Sequence, residues 1–152
     1  MSQLHTPLQI GSVQLPNRIF MAPLTRMRAF EQRSVGDLQV EHYRQRATAG
    51  LILTEATSVC PMGVGYPNTP GIWSAQQVAG WKRVTDAVHA AGGHIAVQLW
   101  HVGRISDPEL LDGQLPVAPS AIAAEGDVSV LRPKRPYAVP RALETAEIAG
   151  IV

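Results

Sequence analysis

Three apolar runs, each turning polar at its C-terminal end, set the pattern of this chain. Arg18 to Met21 leads into Ala22-Pro23-Leu24-Thr25-Arg26, Leu51 to Thr54 into Glu55-Ala56, and Ile95 to Leu99 into Trp100-His101-Val102-Gly103-Arg104. The run at 51–54 shows no alternation, as expected of a strand covered on both faces. Between the first two runs, Val40, Tyr43 and Ala47 recur at helical spacing, predicting a helix over about Leu38 to Ala49 that stops at Gly50. Between the second and third, Ser74 with Gln77 forms a capping box. Val78, Trp81, Val84, Thr85 and Val88 then give a buried stripe before Gly92-Gly93 ends the helix. Strands alternating with helices in this way predict an α/β protein with a parallel sheet and its chemistry at the strand C-termini.

The flanking segments complete the outline. Leu8 to Val13 around Gly11 predicts a small hairpin ahead of the first strand, and Pro23 ends that strand because it cannot donate to a ladder. The loop after the second strand is rich in glycine and proline from Pro61 to Gly71. From Gly103 to Arg141 no period is sustained, which for so long a connection predicts a functional segment, or a hairpin of its own around Val128 to Val139. A third helical pattern begins at Glu144. Residues 1–152 thus read as one domain, about three β/α units preceded by a hairpin.

Charge narrows the partners. A net charge of +1 gives no footprint for nucleic acid or an anionic membrane. No apolar run approaches the roughly 20 residues of a membrane helix, and the N-terminus lacks the basic and apolar regions of a signal peptide. Cys60 is the single cysteine, so no internal disulfide forms, and a cytoplasmic location is expected. The five histidines show no ligand spacing, and no metal site is expected.

The polar residues at the strand ends carry the candidate chemistry. Thr25 offers a directed hydroxyl beside a proline-fixed backbone, and Gln98 a donor and an acceptor on one side chain. Such a pair suits the alternating edge of a pyrimidine-like ring, and the small Ala56 lets a flat ligand approach the backbone. Ordinary strand-end capping explains the same residues equally well. Glu55 is costly to bury alone and is expected to meet Arg18 or Arg46. Arg104 is expected either to help position a cofactor or the long loop, or to pair with Asp107 or Glu109.

Taken together, these segments resemble the Old Yellow Enzyme family of FMN-dependent ene-reductases. The resemblance runs through Pro16-Asn17-Arg18, Met21 to Arg26, Glu41 to Ala47, Ala49 to Ala56, Gly65-Tyr66, Pro70 to Trp73, Gln98 to Arg104, Pro116 to Ser120 and Pro140 to Leu143. It implies the N-terminal portion of a TIM (β/α)8 barrel with FMN at its mouth. Pro23, Leu24 and Thr25 would lie along the flavin, Ala56 would add a backbone contact, and Gln98 would bond the pyrimidine edge. Tyr66 and Trp100 would wall the substrate pocket. The implied reaction passes hydride from NADPH or NADH through FMN to an activated alkene such as an enone or maleimide, with nitro compounds and nitrate esters as further acceptors. The implied catalytic pair (His with Asn or His) and proton-donating Tyr would lie beyond Val152.

A complete barrel takes about 250 residues, and three strands leave two open sheet edges. The expectation is therefore that a complementary C-terminal half-barrel chain, or self-association, covers those edges. The alternative is a non-catalytic fragment or interaction module.

Overall fold

Residues 3–151, which a computed structural model describes, fold around a parallel sheet whose middle strand is the most deeply buried. The predicted hairpin is present as β1 (Leu8–Ile10) and β2 (Val13–Leu15), joined through Gly11 at φ +53°. Then follow β3 (Phe20–Met21), α1 (Asp37–Arg44), β4 (Leu51–Ser58), α2 (Ala75–Ala90) and β5 (Ile95–Trp100). The sheet order is β3-β4-β5, all parallel, so β4 is central and β3 and β5 are its edges. After β5, two short strands, β6 (Val117–Ala118) and β7 (Arg141–Ala142), pair in parallel, and α3 (Thr145–Ile148) follows. Among the described residues no helix is long and apolar enough to cross a membrane.

One face of the sheet is closed by the two long helices. Ile52 of β4 packs with Val35, with Tyr43 and Ala47 from α1 and the turn after it, and with Trp81, Val84 and Val88 of α2. The Trp81 indole N–H donates to the Gly71 carbonyl at 3.2 Å, so the ring is buried without an unpaired donor.

Two helical expectations shift. The first helix ends at Arg44 rather than near Ala49, because the next turns tighten: Arg46 N–H donates to Tyr43 O, Ala47 N–H to Arg44 O and Ala49 N–H to Arg46 O, at 3.0, 3.1 and 3.0 Å. Gly50 serves close approach as well as helix stopping, since a Cβ there would sit 2.2 Å from the Asn17 carbonyl oxygen. In α2 the capping box forms as predicted, Ser74 Oγ accepting from Gln77 N and Gln77 Oε1 accepting from Ser74 N. The buried stripe, however, runs through Gln77, Gly80, Trp81, Val84 and Val88, leaving Val78 50% exposed. Gln77 can be buried because its amide is consumed, Nε2 donating to the Gln32 carbonyl at 3.0 Å.

The two valines of α2 provide a direct check on this packing. Val84 has no exposed surface, and its replacement by Ala is expected to cost about 2 kcal/mol through lost burial and an unfilled cavity. Val78→Ala should stay within about 0.5 kcal/mol of the parent in urea unfolding followed by circular dichroism.

Candidate functional site

The site begins with an irregularity in the central strand. Leu53 pairs with Ala96 and Ala56 with Gln98, so β4 carries one more residue than β5 between these pairs. A bulge of this kind re-aims side chains by changing the two-residue alternation. Thr54 Oγ1 takes the place of a ladder acceptor, receiving the Gln98 N–H at 3.1 Å. Within the bulge Glu55 meets α1, where Tyr43 Oη donates to Glu55 Oε1 at 3.2 Å and accepts the Glu55 N–H at 3.0 Å.

Arg26 closes the cluster. Its Nη2 and Nε donate to Glu55 Oε1 at 2.6 and 3.2 Å, and its backbone N–H to Oε2 at 3.4 Å. Its guanidinium lies 5.3 Å from the centre of the Tyr43 ring. The Glu55 side chain is only 2% exposed. Burial, and then the Glu55 charge, raise the Tyr43 phenol well above its ordinary pKa, so it remains a donor. The cation that meets Glu55 is thus Arg26, and neither Arg18 nor Arg46. Arg18 bonds Thr6 Oγ1 and the Pro7 carbonyl, and Arg46 the His42 carbonyl. The missed signal is topological: Arg26 follows the strand adjacent to the one bearing Glu55, so both lie at the same end of the sheet.

Through this cluster the candidate residues come to one ledge. Ala56, buried, and Gln98, exposed, are register partners on adjacent strands. Thr25 and Arg26 are consecutive, as are Glu55 and Ala56, so the ion pair ties the segment bearing Thr25 to the one bearing Ala56. Pro23 and Thr25 are half-buried, while Leu24 is 68% exposed. Among the described residues, the Thr25 hydroxyl and the Gln98 carboxamide have no protein hydrogen-bond partner. A small residue beside an unengaged hydroxyl and an unengaged amide is a donor set suited to the edge of a flat, nitrogen- and oxygen-bearing ring, which is what a flavin presents.

Aromatic side chains stand beside the ledge. Tyr66 and Trp100 make a tilted ring contact, with centroids 5.3 Å apart, and Trp100 ends the strand that carries Gln98. Arg33 fixes the Tyr66 loop, its Nη1 donating to Tyr66 O, Thr69 O and Thr69 Oγ1 at 3.1, 3.1 and 3.2 Å. Arg104 holds the long connection, through Ile122 O and Ser120 Oγ, rather than pairing with an acid. Asp107 and Glu109 are instead bound by Arg135, which keeps the Asp107 carboxyl below its usual range. Around Val128 to Val139, where the sequence leaves a hairpin as one alternative, the described residues form a single antiparallel bridge, Asp127 opposite Pro136 with Val128 N–H donating to Arg135 O, and no paired strands. His101 turns back on its own loop, its Nδ1 accepting the Gly103 N–H at 3.1 Å. Among the described residues no group of His, Cys, Asp and Glu is placed to hold a metal ion.

His42 gives the site a pH signature. Its ring stands edge-on to Tyr43 with centroids 5.2 Å apart, and its Nε2 is buried without a partner. Burial, followed by the charges of Arg26 and Arg46, lowers its pKa from 6.5 to about 4. The unfolded chain therefore binds a proton that the folded chain refuses. The stability at stake is fully present above about pH 6.5 and is lost as pH falls through the window to about 4. The urea midpoint of the parent is expected to fall across that window more steeply than that of His42→Phe. Parallel curves would remove His42 from the explanation.

Known proteins share this fold and much of this sequence. Residues 3–152 match the model of the NADH:flavin oxidoreductase / NADH oxidase family. The chain is 46% identical over 146 residues to the flavin oxidoreductase hxnT of Emericella nidulans, covering 90% of this chain and 38% of that protein. It is 39% identical over 155 residues to 12-oxophytodienoate reductase 1 of Oryza sativa subsp. japonica, covering 98% of this chain and 38% of the relative. Among solved structures, morphinone reductase in complex with tetrahydroNAD superposes with a TM-score of 0.90 at 54% identity, over 99% of this chain and 43% of that one. The old yellow enzyme homologue from Zymomonas mobilis superposes with a TM-score of 0.90 at 46% identity, over 98% of this chain and 42% of that one. The chain thus spans 38% of the length of these two curated relatives. With its fold and nearly its whole length matching, the chain belongs to the NADH:flavin oxidoreductase / NADH oxidase family, the FMN- and NAD(P)H-dependent enzymes of the old yellow enzyme type.

Proposed function

We propose that this chain forms the isoalloxazine-facing part of an FMN-dependent NAD(P)H oxidoreductase that reduces activated alkenes, enones and maleimides among them, with nitro compounds and nitrate esters as further acceptors. The observation that carries the reading is the ledge itself, where the register pair Ala56 and Gln98 and the clamped segment bearing Thr25 converge at one end of the sheet. FMN, when bound, supplies hydride transfer between nicotinamide and alkene.

The chain's own residues bind and orient. Pro23 and Leu24 would lie along the ring system, and the Thr25 hydroxyl would donate a hydrogen bond to it. Ala56 admits the ring to backbone contact, and the Gln98 amide reads the pyrimidine edge. Tyr66 and Trp100 wall the space above, where the alkene sits. A donor aimed at the ring favours the negatively charged reduced form.

The remaining barrel strands come from a complementary C-terminal half-barrel. Support lies in the edges of the sheet: among the described residues, β3 and β5 each pair on one side only, and Val97 and Leu99 of β5 are 39% and 61% exposed. The same edges favour a second reading, a non-catalytic module that associates through them. The lone Cys60 fits a reducing, cytoplasmic setting.

The test is FMN titration of the chain with its complementary half, followed by NADPH oxidation in the presence of 2-cyclohexenone. Stoichiometric binding and alkene-dependent oxidation are expected. In that assembly Thr25→Ala should lower the two-electron flavin potential by about 30–60 mV, the loss of one hydrogen bond to a charged acceptor. FMN binding without turnover would favour the second reading, and no FMN binding would overturn both the site and the activity.

A further inference from the structure

We infer that the Arg26–Glu55–Tyr43 cluster is a positioning device: it sets where the segment Pro23–Arg26 lies relative to Ala56, and so the spacing between two contacts to the bound ring. The flavin half of this inference rests on the site proposed above, whereas the placement of the segment stands on the chain alone.

Three observations carry it. First, every hydrogen bond that Arg26 makes within the cluster ends on one carboxylate. Glu55 accepts from the Arg26 side chain and, at 3.4 Å, from its backbone N–H, so the main chain next to Thr25 is held as well as the side chain. Second, Tyr43 Oη both donates to that carboxylate and accepts the Glu55 N–H, which fixes the carboxylate against α1 and leaves it little freedom to follow Arg26. Third, the central strand departs from regular pairing at Glu55 itself: Thr54 and Glu55 lie between the pairs where the neighbouring strand has only Val97, so Glu55 faces the helix while Ala56 keeps its register with Gln98.

Stability alone is a poor explanation for such an arrangement. A buried ion pair seldom stabilises more than well-packed apolar side chains of similar volume, because desolvation offsets the attraction. What it adds is direction. The Arg26 fork and the phenol each accept only a narrow set of carboxylate positions, so the pair converts the rigidity of the helix-covered β4 into a defined position for an otherwise irregular segment. Between β3 and the short turn at Glu31–Arg33, residues 22–30 have no regular secondary structure. Besides this cluster, their ties include the Gln39 side chain on the Arg28 carbonyl and the Ala29 N–H on the Asn68 carbonyl. Both lie on the far side of Arg26 from Thr25.

Glu55→Gln and Tyr43→Phe test this against Val84→Ala, which weakens the core that Tyr43 shares but removes none of the cluster's hydrogen bonds. Amide hydrogen exchange is measured first on the full chain. In Glu55→Gln the Arg26 amide is expected to exchange about tenfold faster or more, the loss of a charge-assisted bond, while the Leu53–Ala96 ladder stays as in the parent. Tyr43→Phe should move it in the same direction by less, and Val84→Ala should move the Arg26 and ladder amides together. An unchanged Arg26 amide in Glu55→Gln, or one that changes only in step with the ladder, overturns the inference.

FMN binding, with the complementary half present, is measured second. Glu55→Gln should weaken it by about tenfold or more and shift the visible flavin bands, and Val84→Ala should do neither at a temperature where it is folded. Parent-like affinity and spectrum in Glu55→Gln overturn the flavin half of the inference. A parent that binds no FMN, with the exchange result intact, contradicts the proposed site and leaves the positioning of the segment supported.

Discussion

The buried carboxylate of Glu55 is the point on which the geometry of the strand ends depends. Two donors of one arginine and the hydroxyl of one tyrosine converge on Oε1, and the arginine's backbone reaches Oε2. Removing any one partner leaves charge or a polar group in a dry environment, where it costs far more than the same group at the surface. The arrangement therefore behaves as a unit. It joins an irregular segment, a central strand and a helix.

From that unit the rest of the ledge follows. The bulge that allows Glu55 to face α1 also restores Ala56 to a position opposite Gln98. Thr54 supplies the acceptor that the irregular ladder would otherwise lack, so the strand bends without stranding the Gln98 N–H. Among the described residues the Thr25 hydroxyl and the Gln98 carboxamide remain unengaged, which leaves both side chains able to meet a ligand. Farther out, Arg33, Arg104 and Arg135 each fasten a loop by bonding carbonyls or carboxylates. The loops around the ledge are thus held by guanidinium groups rather than by regular structure.

Much of this was legible in the sequence, for reasons that differ by element. The strands and α2 carry local signals: an unbroken apolar run, a capping box and a glycine stop. Those signals act within a few residues of the structure they specify. The exchange of Val78 for Gln77 in the buried stripe was not legible, because Gln77 is accommodated by a carbonyl at Gln32, far away in sequence. The partner of Glu55 was missed for the same reason, since proximity at the sheet end is set by strand order rather than by spacing. The bulge leaves no glycine or proline behind, and the short β6–β7 pairing joins residues more than twenty positions apart. Thr25, Ala56 and Gln98 are candidates by strand-end position and by motif resemblance; their residue types alone leave strand-end capping equally open.

The central claim is that these strand ends form one side of a flavin site that further strands complete. Native mass spectrometry of the untagged protein as isolated from cells tests it most directly. The expected result is a species that contains this chain and one FMN. A chain that appears bare, or only as a ladder of self-associated copies without flavin, would contradict the account.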